Sequence, residues 1–383
     1  MTAASPATDQ DRAEASRALN LDALRALAAL YVLAGHAYLL SGTAIGFHDR
    51  HPVRLLINSG GSGVWLFFAL SGYLIAGPFI AKLLSGDPLP DVGSYARRRF
   101  LRIYPAYWVA FAAVLAFGLA PGQTVSAGQL IVHGLLLHNL VRGEQQAIYF
   151  ASWTLTLEVL FYAVVPLLAL AVRRLRPGPV SPRALVTAVL LMWASSIVFV
   201  MSVPSFTTGS TQLWLRILFP SMFSMFCPGM LVAIAARTTR AGDGPRWFQA
   251  IAEHRRLSLL VVAVLAVGGA LGATAVPLRV YLASRQLFAL ASGIALVLAL
   301  TRGPVRLGGS LLRWLGEISY GIYLWQGVVI YVLLRHEQVI PMQHTGLVAY
   351  VVHVGLLAAA TLPLAWLSWH LIERRAIALG RSH

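Results

Sequence analysis

Three groups of residues in this chain lie within or against apolar sequence, where their chemistry needs a reason. The first is Asp22, Arg25 and His36 in the stretch LDALRALAALYVLAGH (21–36). An ionisable group inside an apolar helix costs at least about 2.5–3.5 kcal/mol on insertion scales. Arg25 and His36 are eleven residues apart. On a helix that returns to within roughly 20° of the same face, about 16 Å along the axis. One helix therefore presents a cation near one end and an imidazole in its other half, both toward one pocket. Imidazole is the side chain that exchanges a proton near neutral pH. A plainer reading has Arg25 snorkelling to the interface with Asp22 as its partner, and His36 as a hydrogen-bonded packing residue.

The second group is Glu158 in ASWTLTLEVLFY, about two turns into an apolar run and at a depth similar to that of His36. A carboxylate beside an imidazole fixes its tautomer and raises its basicity, as in a hydrolase triad. An ion pair of Glu158 with Arg216 or Arg285 is the structural alternative. The third group is Arg97-Arg98-Arg99-Phe100-Leu101-Arg102, where a polar loop becomes an apolar run. Guanidinium pairs phosphate bidentately, and Arg99 and Arg102 share a helix face. Arg98, Arg99 and Arg102 are the candidates for a phosphate clamp; a topogenic, lipid-facing patch is the competing role. Ser71 is a candidate acyl carrier with no base assigned beside it. The glycine-rich opening Gly60-Gly61-Ser62-Gly63 reads as close packing or a tight turn. His48, Asp49 and His51 have no spacing that fixes a metal geometry, so no metal is expected.

These residues are embedded in a sequence that excludes a soluble domain. Of 383 residues, 58% are hydrophobic and only 11% charged, against about 25% charged in ordinary soluble proteins. Apolar runs of about 20 residues follow one another, each long enough to cross a bilayer as a helix. The expected fold is all-α: a polytopic membrane helix bundle of ten spans, roughly 20–41, 60–84, 103–120, 151–172, 184–203, 212–236, 257–275, 279–301, 314–334 and 346–371. A short apolar piece near 128–141, holding His133, Gly134, His138 and Asn139, is left over. If it dips in without crossing, 22 of the 30 basic residues fall on one side and five on the other. By the positive-inside rule the basic side is cytoplasmic. This predicts a re-entrant or half-helix segment there, with both termini cytoplasmic. The domain plan is a disordered polar tail over 1–18, a single membrane domain over 19–375 and a short cytoplasmic tail over 376–383. With no cleavable signal evident at the N-terminus, the first apolar helix is expected to be an uncleaved anchor. The net charge of +16 is almost all arginine, since Lys82 is the one lysine. No basic stripe with interleaved aromatics accompanies it, so nucleic acid is not an expected partner. Cys227, the single cysteine, excludes an internal disulfide.

Five stretches together resemble the acyltransferase-3 family of integral membrane O-acyltransferases: LDALRALAALYVLAGH (21–36), GVWLFFALSGYLI (63–75), RRRFLRIYPAYW (97–108), SWTLTLEVLFYAVVP (152–166) and LGEISYGIYLW (315–325). The resemblance implies transfer of an acyl group, commonly acetyl from acetyl-CoA, to a hydroxyl of a carbohydrate or other glycosylated acceptor. It implies that the pair matching Arg25 and His36 is essential, that Arg99 and Arg102 belong to donor binding, and that Glu158 is the family's acidic position. Gln326 stands where the family often has a histidine. An added C-terminal hydrolase-like domain, present in some members, is not expected here. The mechanism this suggests places acyl-CoA phosphates on Arg99 and Arg102, threads the pantetheine past Arg25, and uses His36 as general base with Glu158 orienting it or touching the acceptor. The expected setting is a bacterial plasma membrane. The competing classes are a transporter or flippase of a glycan or lipid-linked substrate, and a non-catalytic assembly subunit.

Overall fold

The computed structural model describes residues 9–40, 55, 57, 59–118, 123–145, 147–273, 278–301, 309–335 and 347–381. Among them every regular element is helical. In chain order the α-helices are α1 (Asp9–Ala37), α2 (Gly63–Ser85), α3 (Val92–Ala113), α4 (Ala127–Gly134), α5 (Trp153–Leu175), α6 (Pro182–Phe206), α7 (Gly209–Leu215) and α8 (Phe219–Met222). They continue with α9 (Cys227–Arg240), α10 (Arg246–Glu253), α11 (Arg255–Ala273), α12 (Leu278–Thr301), α13 (Gly309–Glu317), α14 (Ser319–Arg335), α15 (Leu347–Ser368) and α16 (Arg374–Arg381).

Eight helical segments are long and apolar enough to cross a membrane. Two bent pairs bring the number to ten: Phe219–Met225 with Cys227–Arg240, bent by 42°, and α13 with α14, bent by 65°. These are the ten spans expected from hydropathy. The part read as a polar tail is helical from Asp9, as the N-terminal extension of α1. The far end likewise continues as α16, which packs on the start of α3, where Arg97 Nη2 donates to Leu379 O at 3.0 Å.

The leftover piece is a half-helix. Its eight residues rise about 12 Å, too short to cross. A capping box closes its start, with Ser126 and Gln129 satisfying each other's backbone N–H. Its end is the harder problem, because unpaired carbonyls inside a bilayer are tolerated only where protein or water satisfies them. α3 supplies the donors: Tyr107 Oη to His133 O at 2.7 Å, Trp108 Nε1 to Gly134 O at 2.9 Å and Tyr104 Oη to Leu135 O at 3.0 Å. Leu136 then takes a left-handed φ of 56° and turns the chain back. The returning strand of backbone is tied by Asn139 Nδ2 to Trp153 O, which delivers it to the start of α5.

The main core gathers α2, α3, α5 and α9, and α2 is its axis, with two thirds of its apolar window buried. α2 and α9 approach so closely that a Cβ on Gly72 would strike Phe226 O and one on Gly229 would strike Ala69 O. The turn into α3 is capped by Asp91, whose carboxylate accepts from Ser94 N at 2.8 Å; that bond holds its pKa below the ordinary value. Replacing Tyr107 with Phe keeps the ring and removes one of the donors to His133 O, leaving Leu136 N at 3.0 Å. The expected loss is about 0.5–1.5 kcal/mol, read as a lowered thermal midpoint in detergent, and an unchanged midpoint would contradict this account of the half-helix.

Candidate functional site

Five helices enclose a cavity of about 280 Å³. α1 brings Arg25, α2 brings Ser71, α3 brings Arg99 and Arg102, α5 brings Thr154, Glu158 and Tyr162, and α14 brings Ser319, Tyr320 and Tyr323. The remaining lining is apolar and comes mainly from α2. Three guanidiniums thus face a single lining carboxylate.

The way each arginine is held leaves N–H groups for a ligand. Arg25 Nη1 pairs with Asp22 Oδ1 at 3.0 Å, one turn away on the same helix. Arg99 lies over the rings of Tyr95 and Tyr162, 5.5 Å from each centroid, and its buried Nε has no hydrogen-bond partner. Arg102 lies over Tyr320 at 5.9 Å and Trp369 at 6.0 Å. An aromatic face engages the plane of a guanidinium and leaves its in-plane donors open. Glu158 Oε1 accepts from Tyr162 Oη at 2.6 Å and from Ser71 Oγ at 3.2 Å. Ser71 therefore does have a basic group beside it.

Arg25, Arg99, Arg102 and Glu158 converge on one cavity. Arg98 does not join them: it is exposed, and its backbone and Cγ approach Gly380 of α16. On the helix Arg98 lies about 100° from Arg99 but, four residues before Arg102, within about 40° of it, so its place beside α16 rather than its azimuth keeps Arg98 out of the cavity. Glu158 pairs with neither Arg216 nor Arg285, and its two partners here are not His36.

His36 lies outside the lining of this cavity. It shares the azimuth of Arg25, but the rise of about 16 Å puts it in another layer. There its ring meets Phe150 edge-on at 5.2 Å, Gln326 lies beside it, and its buried Nδ1 has no hydrogen-bond partner. The connection to the cavity runs through Tyr323, which lines it and whose carbonyl accepts from Gln326 Nε2 at 3.2 Å. No cavity described here is lined by both Arg25 and His36, and Tyr323 and Gln326 lie between the two residues. The stretch with His48, Asp49 and His51 lies outside the described residues.

Sequence reasoning overlooked Tyr162, Tyr320 and Tyr323. Tyr162 had a signal, since it follows Glu158 by four residues and so sits above it on one helix face. Tyr320 and Tyr323 had none that separates them from other aromatics in an apolar helix. A second groove of about 410 Å³ between α3 and α5 shares Arg99 and Tyr162 with the cavity and is otherwise almost wholly apolar.

A membrane bundle with a cationic cavity, a carboxylate and a nearby imidazole fits acyl transfer, and comparison with known proteins agrees. Residues 19–370 match the acyltransferase-3 family model, described as an acyltransferase domain, and the chain belongs to that family. It is an integral membrane acyltransferase. It is similar to Nodulation protein 10 of Rhizobium leguminosarum bv. viciae, 26% identical over 387 residues that cover 95% of this chain and 94% of that one. A shorter match, 33% identical over 168 residues, joins 41% of this chain to 40% of Acyltransferase MdmB of Streptomyces mycarofaciens. Another, 28% identical over 123 residues, joins 31% of this chain to 37% of the Exopolysaccharide production protein ExoZ of Rhizobium meliloti (strain 1021). No solved structure matches the chain.

The Tyr162 hydroxyl tests how the site is held. Glu158→Gln retains an acceptor for it, whereas Glu158→Ala removes the acceptor of a half-buried phenol. Thermal unfolding in detergent should place the Gln variant near wild type and the Ala variant about 1–3 kcal/mol lower; equal losses would show that charge, rather than hydrogen bonding, holds the residue.

Proposed function

We propose that the protein is an O-acyltransferase that takes acyl-CoA, with acetyl-CoA the favoured donor, and passes the acyl group to a hydroxyl of a carbohydrate or glycosylated acceptor. The observation that carries this reading is the cavity with Arg25, Arg99 and Arg102 around one carboxylate. The printed names of the relatives, an acyltransferase and an exopolysaccharide production protein, are in keeping with it. Arg99 and Arg102 sit in the first turns of α3, on the side where the chain concentrates its basic loops, which the positive-inside rule makes cytoplasmic. A CoA ester in the cytoplasm meets those guanidiniums first. Arg98, exposed near the start of α3 beside α16, steers the phosphates without lining the cavity.

Transfer forms a C–O bond and breaks the thioester C–S bond, and the hydroxyl proton ends on the departing thiolate. Arg99 and Arg102 hold phosphate and Arg25 lies further in. His36 takes the hydroxyl proton, with Gln326 as its neighbour, after the layer of Tyr323 admits the thioester. Glu158 orders the Ser71–Tyr162 side of the cavity. A second route rests on the Ser71–Glu158 contact at 3.2 Å. In it Ser71 Oγ attacks the thioester and gives its proton to Glu158 as the C–S bond breaks, the proton passes to the departing CoA thiolate, and the acceptor hydroxyl then displaces Ser71 from the acyl-serine, its proton returning to Ser71.

Purified protein given labelled acetyl-CoA should bind it and slowly cleave it. Arg99→Ala and Arg102→Ala should each weaken binding about tenfold or more, as expected for loss of a charge-assisted contact. His36→Ala should retain binding and lose about 10²–10⁴-fold in turnover. Label that stays on wild-type protein and disappears in Ser71→Ala would select the covalent route. A transporter would move solute without consuming the ester, and that outcome would sink the enzyme reading.

The proposed orientation has its own check. In a Cys227→Ser background, Thr208→Cys should react with an impermeant maleimide on intact cells, and Pro177→Cys only after lysis. The reverse pattern would invert the bundle.

A further inference from the structure

A second cavity, of about 340 Å³, lies at the start of α2, where its lining residue Trp65 directly follows Val64 of the first cavity. Gly61, Ser62 and Trp65 line it, whereas Ser71 lines the donor cavity, nine residues and about 14 Å further along the helix from Ser62. On α5 the division falls between Trp153, in the second cavity, and Thr154, in the first. The two spaces are thus back to back across a wall in which Trp65 meets Phe68 at 5.9 Å and Trp153 at 6.4 Å.

Two arginines enter this second cavity. Arg285 is only 6% exposed. Its guanidinium lies over Trp65 at 5.2 Å and over Tyr281 at 5.8 Å, and its Nε has no hydrogen-bond partner. One of its amino groups meets Met222 Sδ at 2.7 Å, a weak acceptor. Arg216 lies over the same Tyr281 ring at 4.9 Å, and its Nε is also without a partner. The two cations are near enough to repel each other. Among the described residues no carboxylate lines the cavity.

A buried cation, Arg285, sharing one ring with a half-buried one, Arg216, and with no counter-charge in the lining is costly inside a bundle. The cost is relieved when an anion arrives from outside. The rest of the lining describes the body that carries the anion. Trp65 and Tyr281 carry the guanidiniums, and Trp153 and Phe288 add aromatic surface of the kind that packs against the C–H face of a pyranose. Ser62 and Ser284 add hydroxyls. We propose that this cavity is the acceptor site, and that it selects an acidic sugar, a pyranose bearing a carboxylate or phosphate that lodges between Arg216 and Arg285. This rests on the reading of the first cavity as the donor site. The acceptor would then enter from the membrane face opposite the donor, with Trp65 and Trp153 as the partition between them.

The test is calorimetric titration of the full chain in lipid nanodiscs with glucuronate, glucose 6-phosphate, glucose and inorganic phosphate. Both acidic sugars should bind about tenfold or more tightly than glucose, the increment of a charge-assisted contact. Arg285→Gln and Arg216→Gln should abolish that preference. Arg285→Lys, which keeps the charge and loses the planar stack, should retain part of the preference, which separates loss of charge from loss of folding. Arg279→Gln, an exposed arginine bonded to Ser205 on the same side, should leave the preference intact. Equal binding of glucose and glucuronate overturns the proposal, as does inorganic phosphate binding as tightly as the sugar phosphate. Acetyl-CoA cleavage by wild type without any sugar reports on the donor reading alone, so the two can fail separately.

Discussion

The organisation of this bundle depends on how it houses guanidinium groups away from water. Of the five cavity-lining arginines, Arg25 pairs with a carboxylate, Asp22, on its own helix. Arg99, Arg102, Arg216 and Arg285 lie instead on aromatic faces. A carboxylate partner would occupy the in-plane donors and neutralise the charge. A ring stabilises the cation and leaves both available. The aromatic partners come from different helices than the arginines in most cases: Tyr320 from α14 for Arg102, Trp65 from α2 for Arg285. Helix packing and charge placement are therefore one problem, and its solution produces two cationic cavities with a tryptophan wall between them.

A second constraint is backbone satisfaction at depth. The half-helix α4 ends inside the bundle, and three consecutive carbonyls there receive donors from Tyr104, Tyr107 and Trp108. Those residues continue the same helix that carries Arg99 and Arg102 one and two turns earlier. α3 thus does two tasks along its length, presenting cations near its start and closing a helix terminus further on. The half-helix returns the chain through Tyr149, which bonds Leu324 O, to α5, where Glu158 and Tyr162 enter the cavity. Loss of that terminus would shift the start of α5 and, with it, the carboxylate.

Much of this was legible in the residues themselves. Ten spans and a short intervening piece follow from length and apolarity, because a bilayer sets a minimum helix length and penalises any exposed backbone. Arg25, Arg99, Arg102 and Glu158 could be singled out because a charge in an apolar run is an exception that needs a use. The pairing of Glu158 with Tyr162 was within reach from their spacing. Arg98 shows the limit: adjacent arginines are equivalent as letters, and only the neighbours of α3 decide which face turns inward.

What the sequence by itself determined is therefore the class of fold, the family and the list of polar groups that the membrane cannot ignore, because hydropathy and helical period are local properties. The tertiary structure alone decided the company each group keeps. It gave Glu158 the hydroxyls of Ser71 and Tyr162 rather than an imidazole, set His36 beside Gln326 a layer away from Arg25, and drew Arg216 and Arg285 around one tyrosine. Those choices depend on contacts between helices far apart in the chain, and no periodicity along a single helix encodes which neighbour it will meet.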